Sequence, residues 1–376
     1  MTTLRVILDD MLAPTPGTAS RYAADLSRQL IEAAPAGTFV EGVVAASTEA
    51  EYEAIGAQLP GLARLHKSAL ARRELTLAWQ HGFTKLPGGG MVHSPSLFAP
   101  LSNHDRLNNA GEQTVVTLHD TLAWTHPESV SSRIVSWRLG MAKRAHRYAD
   151  AIVVPTHAVG ERLRDFLDFG DRVRVIGGAA STRITRHPDG ATRAAALDLP
   201  QRYVLAFGGL EPVRNNDQLI RAMKNVPEDV SLVLVTSTPW DSIAEVAKEA
   251  GVAPERMRTM PGLSDADLSV VFERALALVV ASEDEGFGLP MLEAFEFGTP
   301  VIHSDAAALV EVADDAGLVV ALADDEGYPA RLAEAIRAVI EDQQLAERLS
   351  IFGTDRSRIF TWRGAADKVW QLHADL

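Results

Sequence analysis

The chain has no cysteine among its 376 residues. That single absence excludes disulfide scaffolds, cysteine-ligated zinc, iron–sulfur clusters and thiol nucleophiles. Long apolar runs are also missing, and none reaches the length of a membrane span. Met1-Thr2-Thr3 leads directly into Leu4-Arg5-Val6-Ile7-Leu8, without the layout of a signal peptide. The expectation is a soluble, cytoplasmic protein. Basic excess is lacking as well: 36 Lys and Arg stand against 50 Asp and Glu, a net charge of −14. The deficit is uneven. Through Arg183 there are 19 basic and 18 acidic residues, and from Ile184 onward 17 against 32. Neither half is basic enough to neutralise a run of phosphates, so nucleic acid is excluded as a partner. A small anionic ligand is compatible with this charge, because a local site overrides the global balance.

What is present is a regular alternation of short apolar runs and amphipathic segments. Strands are expected at 4–8, 39–45, 114–118 and 151–154, with weaker ones near 91–93 and 173–176. Helical periodicity covers 20–33, 133–148 and 158–166. The second half repeats the style, with strands at 203–207, 231–235, 277–280, 300–303 and 318–320. Its helices are expected at 217–223, 241–250, 265–273 and 292–297, followed by one long helix over 329–348. Nearly continuous Val/Leu/Ile strands alternating with helices indicate parallel sheets covered on both faces. The fold class is therefore α/β, with two doubly wound units. A glycine-rich stretch from Gly177 to Gly190 reads as the linker, close to the charge step. The segments 56–90 and 103–112 read as irregular loops.

Four stretches carry candidate chemistry. In the first, Glu285-Gly286-Phe287-Gly288-Leu289-Pro290 follows a strand, and Pro290 suits the first turn of a helix that Gly298 closes. Glycines at a helix amino terminus let backbone N–H groups approach an anion. Glu285 and Glu293, eight positions apart, are carboxylates suited to accepting hydrogen bonds from sugar hydroxyls. The plain alternative is a strand–loop–helix joint with acidic residues at a helix start. The second stretch, Gly208-Gly209-Leu210-Glu211-Pro212-Val213-Arg214, again links strand to helix, with Asn215 or Asn216 as the expected cap. Arg214 there offers a bidentate guanidinium to a phosphate, or is simply a surface arginine in a capped turn. The third stretch, His119-Asp120, ends a buried strand, where a nearby carbonyl would also satisfy the histidine. The fourth, the turn from Pro16 and Gly17 to Tyr22, does not supply a dinucleotide-type G-x-G-x-x-G. Asp265-Ala266-Asp267 has metal-binding spacing, but Ser264 makes it a capped, dipole-matched helix start. Arg133, Arg138, Lys143, Arg144 and Arg147 read as the wet side of an amphipathic helix.

Taken together, these stretches resemble the retaining nucleotide-sugar glycosyltransferases of family 4, the mannosyltransferase-like group with a GT-B fold. Glu285 to Ala294 resembles the family's E-x(7)-E signature, and the likeness continues through Gly298-Thr299-Pro300-Val301-Ile302. Leu210 to Asn215 resembles its L-E-P-R-K-N turn, His119-Asp120 its H-D, and Gly17 to Tyr22 its G-I-G-R-Y loop. The resemblance implies two Rossmann-like domains facing across a cleft. Residues 1–180 would form the acceptor domain and 181–360 the donor domain, with a last helix at about 361–376 packing back on the first. It further implies transfer of a sugar from a nucleoside diphosphate to a hydroxyl acceptor such as a glycan, glycolipid or polysaccharide precursor. No metal and no cofactor would be needed. Glu285, His119 and Arg214 would be the catalytic residues. Gly17, Gly209, Pro261, Gly262, Gly286, Phe287, Gly288, Leu289 and Glu293 would bind the donor together with Glu285 and Arg214. Within that set, Glu293 would hold the ribose and His119 would reach the sugar. The enzyme would be cytoplasmic, with peripheral contact at the inner membrane face. Two departures stand out: Val213 replaces one of the two cations of the R-K pair, and Thr18-Ala19-Ser20 replaces the second glycine of the loop. A non-catalytic binding or assembly protein of the same fold is the rival reading, with a sugar-nucleotide epimerase behind it.

Overall fold

A computed structural model describes residues 2–13, 17–84, 90–105, 108–109 and 111–376. The chain divides into two compact units, one of Met1–Gly178 with Thr361–Leu376, the other of Ala179–Phe360. The first holds a parallel sheet of seven strands: β1 (Thr2–Ile7), β2 (Thr38–Ala46), β3 (Arg64–Ala71), β4 (Met91–Ser94), β5 (Gln113–Thr117), β6 (Ala151–Val154) and β7 (Val173–Val175). Their spatial order is β3-β2-β1-β4-β5-β6-β7. The second holds six parallel strands: β8 (Tyr203–Phe207), β9 (Ser231–Val235), β10 (Met257–Thr259), β11 (Ala277–Val280), β12 (Val301–Ser304) and β13 (Leu318–Val320). Their order is β10-β9-β8-β11-β12-β13. Each sheet thus runs outward from its first strand in both directions. The direction reverses between β1 and β4 in one unit and between β8 and β11 in the other, where open α/β sheets bind ligands.

Apolar strands dictate this layering. Val116, Ile152 and Val154 pack on Met141, Ala142 and Ala145 of the helix Ser132–Tyr148. Ile7, Val43 and Val92 meet Leu75 and Trp79 of the helix Arg72–His81. In the second unit, Val204, Ala206, Leu232 and Leu234 pack with Leu219 and Ile220 of Asn216–Ala222 and with Leu332 and Ile336 of Tyr328–Glu341. The last helix, Trp362–Asp375, belongs to the first unit. Its Trp370 indole donates to the Leu30 carbonyl at 3.1 Å, and its Trp362 ring meets Tyr22 edge-on at 5.3 Å.

Three sequence expectations need correction. Residues 56–90 are not one irregular loop, for they contain β3 and the helix Arg72–His81; residues 85–89 lie outside the described residues. β3 is an edge strand without a buried residue, so it shows no apolar run. His66 on β3 meets Glu41 on β2 at 2.7 Å, and Arg5 on β1 donates to the same carboxylate at 3.4 Å. The long helix expected over 329–348 is two helices, Tyr328–Glu341 and Gln343–Ser357. Asp342 breaks them, its carboxylate accepting the Leu345 N–H at 3.0 Å as an N-cap. Finally, Asn215 and Asn216 do not cap their helix: no side-chain cap bond is made, and Asn215 sits in the left-handed region at φ 53°.

Candidate functional site

In the second unit the loops after β8 and β11 emerge side by side at the point where strand order reverses. Gly208 leaves β8 at φ +91°, a conformation that favours glycine. At Gly209 a Cβ would run into the Thr238 hydroxyl, so a larger residue there requires that side chain to shift. The Gly209 N–H donates to the Glu211 carboxylate at 2.9 Å. Asn216 is buried and donates to the carbonyls of Phe207 at 3.2 Å and Gly209 at 2.8 Å. That fixes the loop from inside and explains why this asparagine is not a cap.

The two loops are stitched together. The Glu283 N–H donates to the Val213 carbonyl at 2.9 Å, and the Asn215 amide donates to the Ala281 carbonyl at 3.3 Å. Arg214 donates to the Glu285 carboxylate in an ion pair, and the Ser282 hydroxyl approaches the same oxygen at 3.4 Å. The structure therefore brings Arg214 and Glu285 together, 71 positions apart in sequence. The Val213 side chain is buried, turned into the core instead of offering a second charge. Further support comes from Tyr328, whose hydroxyl donates to the Ala281 carbonyl at 3.0 Å, and from Ser304, whose hydroxyl donates to the Ser282 carbonyl. Neither residue, nor the stapling role of the two asparagines, was visible in the local sequence pattern. The Asn-Asn pair was the only signal.

Gly286, Phe287 and Gly288 lead into the helix Leu289–Glu296. Gly288 occupies the N-cap position at φ +72°, where a Cβ would also lie 2.8 Å from Leu309. Phe287 is buried edge-on against Phe360 at 5.6 Å, and Leu289 is buried beside the helix start. Glu293 lies in this helix and is only 2% exposed. Pro261 and Gly262 follow the edge strand β10, two strands from β8, and both are exposed. They share the end of the sheet with the Arg214–Glu285 cluster but are not part of it. Asp265 and Asp267 are paired with Arg183 at 2.7 Å and Arg193 at 2.8 Å. Ser264 accepts the Asp267 N–H at 3.1 Å, which is a helix start. Among the described residues, no group of three or more His, Asp or Glu is arranged to hold a metal ion.

In the first unit the carboxyl ends of β1, β4 and β5 surround a cavity of about 520 Å³. His119 stands in its wall, with its Nε2–H donating to the Pro95 carbonyl at 2.7 Å and its ring 4.7 Å from Tyr22, edge-on. A carbonyl only accepts, so the neutral ring carries its proton on Nε2 and leaves Nδ1 as an acceptor. Burial lowers the His119 pKa below the ordinary histidine value, against the opposing pull of the Pro95 carbonyl and Asp120. Asp120 accepts from the Leu122 N–H at 3.1 Å and from Arg138 at 2.8 Å. Gly17 is exposed and precedes the helix Thr18–Glu32, its carbonyl accepting the Arg21 N–H at 3.0 Å. Pro16, at the start of that turn, lies outside the described residues. Of the loop residues, Ala19 reaches the cavity wall and Tyr22 reaches His119.

Two Rossmann-like parallel-sheet units, each with loops converging where strand order reverses, define the GT-B fold class. Solved structures agree: sucrose-phosphate synthase from Thermosynechococcus elongatus superposes with a TM-score of 0.74 at 21% identity, covering 100% of this chain and 99% of that one. The family model described as glycosyltransferase family 4 matches residues 19–182, and that of glycosyl transferases group 1 matches 192–356. The chain belongs to the family 4, group 1 glycosyltransferases. Among curated proteins it is 28% identical to O-antigen chain mannosyltransferase B of Escherichia coli over 226 residues, 55% of each chain. It is 30% identical to a D-inositol 3-phosphate glycosyltransferase of Nocardioides over 246 residues, 60% of this chain and 53% of that protein. The chain thus spans about half the length of these relatives.

Proposed function

We propose that the chain is a retaining glycosyltransferase that moves a hexosyl group from a nucleoside diphosphate sugar to a hydroxyl acceptor without a metal ion. The observation that carries this reading is the Arg214–Glu285 pair, held between two stitched loops beside the Gly286–Gly288 turn and a helix amino terminus. In the proposed complex Arg214 exchanges the Glu285 carboxylate for the donor diphosphate. Its guanidinium neutralises charge that grows on the leaving group as the glycosidic bond breaks. Backbone N–H groups at the start of Leu289–Glu296 add to that field. Glu285, released from the pair, accepts hydrogen bonds from donor-sugar hydroxyls, and Glu293 holds the ribose. The acceptor hydroxyl attacks the face the diphosphate vacates, and the departing phosphate takes its proton, which preserves the anomeric configuration.

With its pKa depressed, His119 is neutral at pH 7 and serves as a hydrogen-bonding group toward the sugars instead of a general acid. The first-unit cavity takes the acceptor, a glycan or lipid-linked saccharide by analogy with the mannosyltransferase relative. Among the described residues no helix is long and apolar enough to cross a membrane. Action in the cytoplasm, with peripheral contact at a membrane carrying the acceptor, belongs to the same proposal.

The test is a panel of UDP-, GDP- and dTDP-sugars, with binding and nucleoside diphosphate release measured with and without EDTA. The reading expects at least one donor to bind and release its diphosphate undiminished by the chelator. Binding of none would end it, and binding without release in the presence of acceptors would favour a non-catalytic relative.

A further inference from the structure

The cavity of the first unit is walled by four arginines, Arg72, Arg73, Arg133 and Arg138, against two carboxylates, Asp10 and Asp120. Two of the arginines are neutralised in place: Arg72 pairs with Asp10 at 2.8 Å and Arg138 with Asp120 at 2.8 Å. Among the described residues Arg73 and Arg133 have no acidic partner, and neutral His119 leaves their charge uncompensated. Both sit in the first turns of long helices, Arg72–His81 and Ser132–Tyr148, whose dipoles add positive potential at the same wall. This happens in the half of the chain that is otherwise nearly charge-neutral, with 19 basic and 18 acidic residues through Arg183.

The wall also carries apolar side chains: Leu97 and Phe98 are buried in it, while Leu77 and Ile134 are exposed large hydrophobics. The basic stretch beginning at Arg133 is therefore not only the wet side of a helix, because two of its members face this space.

We infer that the acceptor bound in this cavity carries an anionic phosphate group close to the reacting hydroxyl and beside an apolar surface. This rests on the glycosyltransferase reading and narrows its acceptor. The phosphate would lie between Arg73 and Arg133. A soluble sugar phosphate and a lipid-linked phosphate share this chemistry.

Isothermal titration calorimetry with mannose, mannose 6-phosphate and dihexanoyl phosphatidylglycerol tests the inference on the full chain. Mannose 6-phosphate or the phospholipid is expected to bind at least about tenfold more tightly than mannose. Arg73→Ala and Arg133→Ala should each weaken that binding about fivefold, and the double variant should erase the preference. Arg358→Ala, an exposed change in the other unit, should leave it intact. Tighter binding of the phospholipid, reduced by Leu77→Ser, assigns the lipid-linked source; equal binding of the two assigns the soluble one. The inference is overturned if neither phosphate probe outbinds mannose, or if the preference survives in the double variant. Donor binding to the native chain, measured in the nucleotide-sugar panel, is a separate readout. If it persists, failure here removes the anionic acceptor and not the transferase reading.

Discussion

Acidification should release the carboxy-terminal helix from the first unit, for a reason that can be worked through. His373 on Trp362–Asp375 is buried against His93 on β4, the rings 5.6 Å apart. The His373 Nδ1–H donates to the Gln113 side-chain oxygen at 2.9 Å. Its Nε2 and both nitrogens of His93 have no partner among the described residues. Burial pushes the His373 pKa down to about 4, against a weak opposing pull from Asp150, and burial with the neighbouring ring drives His93 well below its ordinary value. The folded chain thus refuses protons that the unfolded chain binds near pH 6.5. Stability is present above that pH and is lost as pH falls toward 4. For His373 alone the full loss is about 3 kcal/mol, of which about 2 kcal/mol has gone by pH 5. Asp9, whose pKa burial raises to about 6, works in the opposite direction over the same range. A comparison of variants cancels that contribution. Urea unfolding followed by tryptophan fluorescence reports mainly the first unit, because Trp79, Trp124, Trp137, Trp362 and Trp370 lie there and only Trp240 does not. Between pH 7.5 and pH 5 the His93→Leu/His373→Leu protein should lose less stability than the native chain, by about 2 kcal/mol or more. Equal losses in the two proteins would refute the reasoning.

Other substitutions probe the donor unit. Gly288→Ala forces a side chain into the left-handed region and against Leu309; a loss of about 2–3 kcal/mol in unfolding free energy, with nucleotide-sugar affinity reduced, is expected in calorimetry. Asn216→Ala leaves two loop carbonyls without their donor and should cost about 2 kcal/mol in urea unfolding while weakening donor binding. Asp342→Ala removes the cap between two helices and should lower stability by about 1 kcal/mol without touching donor affinity.

Strands packed into the core were legible because nothing else looks like them: 203–207, 231–235 and 277–280 are strands over those same residues. Elements with little buried surface were not. The helix Glu49–Gln58 buries only Ile55 and is held by a Thr48–Glu51 capping box, so it has no apolar stripe to read. β10 has three residues and one buried side chain. At the site, glycine spacing and a strand–turn–helix pattern located both loops of the donor unit. The pattern gave no hint that Arg214 and Glu285 pair with each other, since that contact depends on parallel strands being neighbours in space and not in sequence. Buried staples such as Tyr328 and Ser304 are equally invisible, because each acts across the fold on a backbone carbonyl.

The central claim is that Arg214 neutralises a leaving diphosphate, and its most direct measurement is single-turnover diphosphate release from the best-bound nucleotide sugar. Arg214→Ala should slow release by about 10²–10³-fold, the usual effect of removing one donor to a developing oxyanion. Glu285→Gln should slow release while leaving nucleoside diphosphate affinity near that of the native protein. An Arg214→Ala protein that stays folded and releases diphosphate at the native rate would contradict the account.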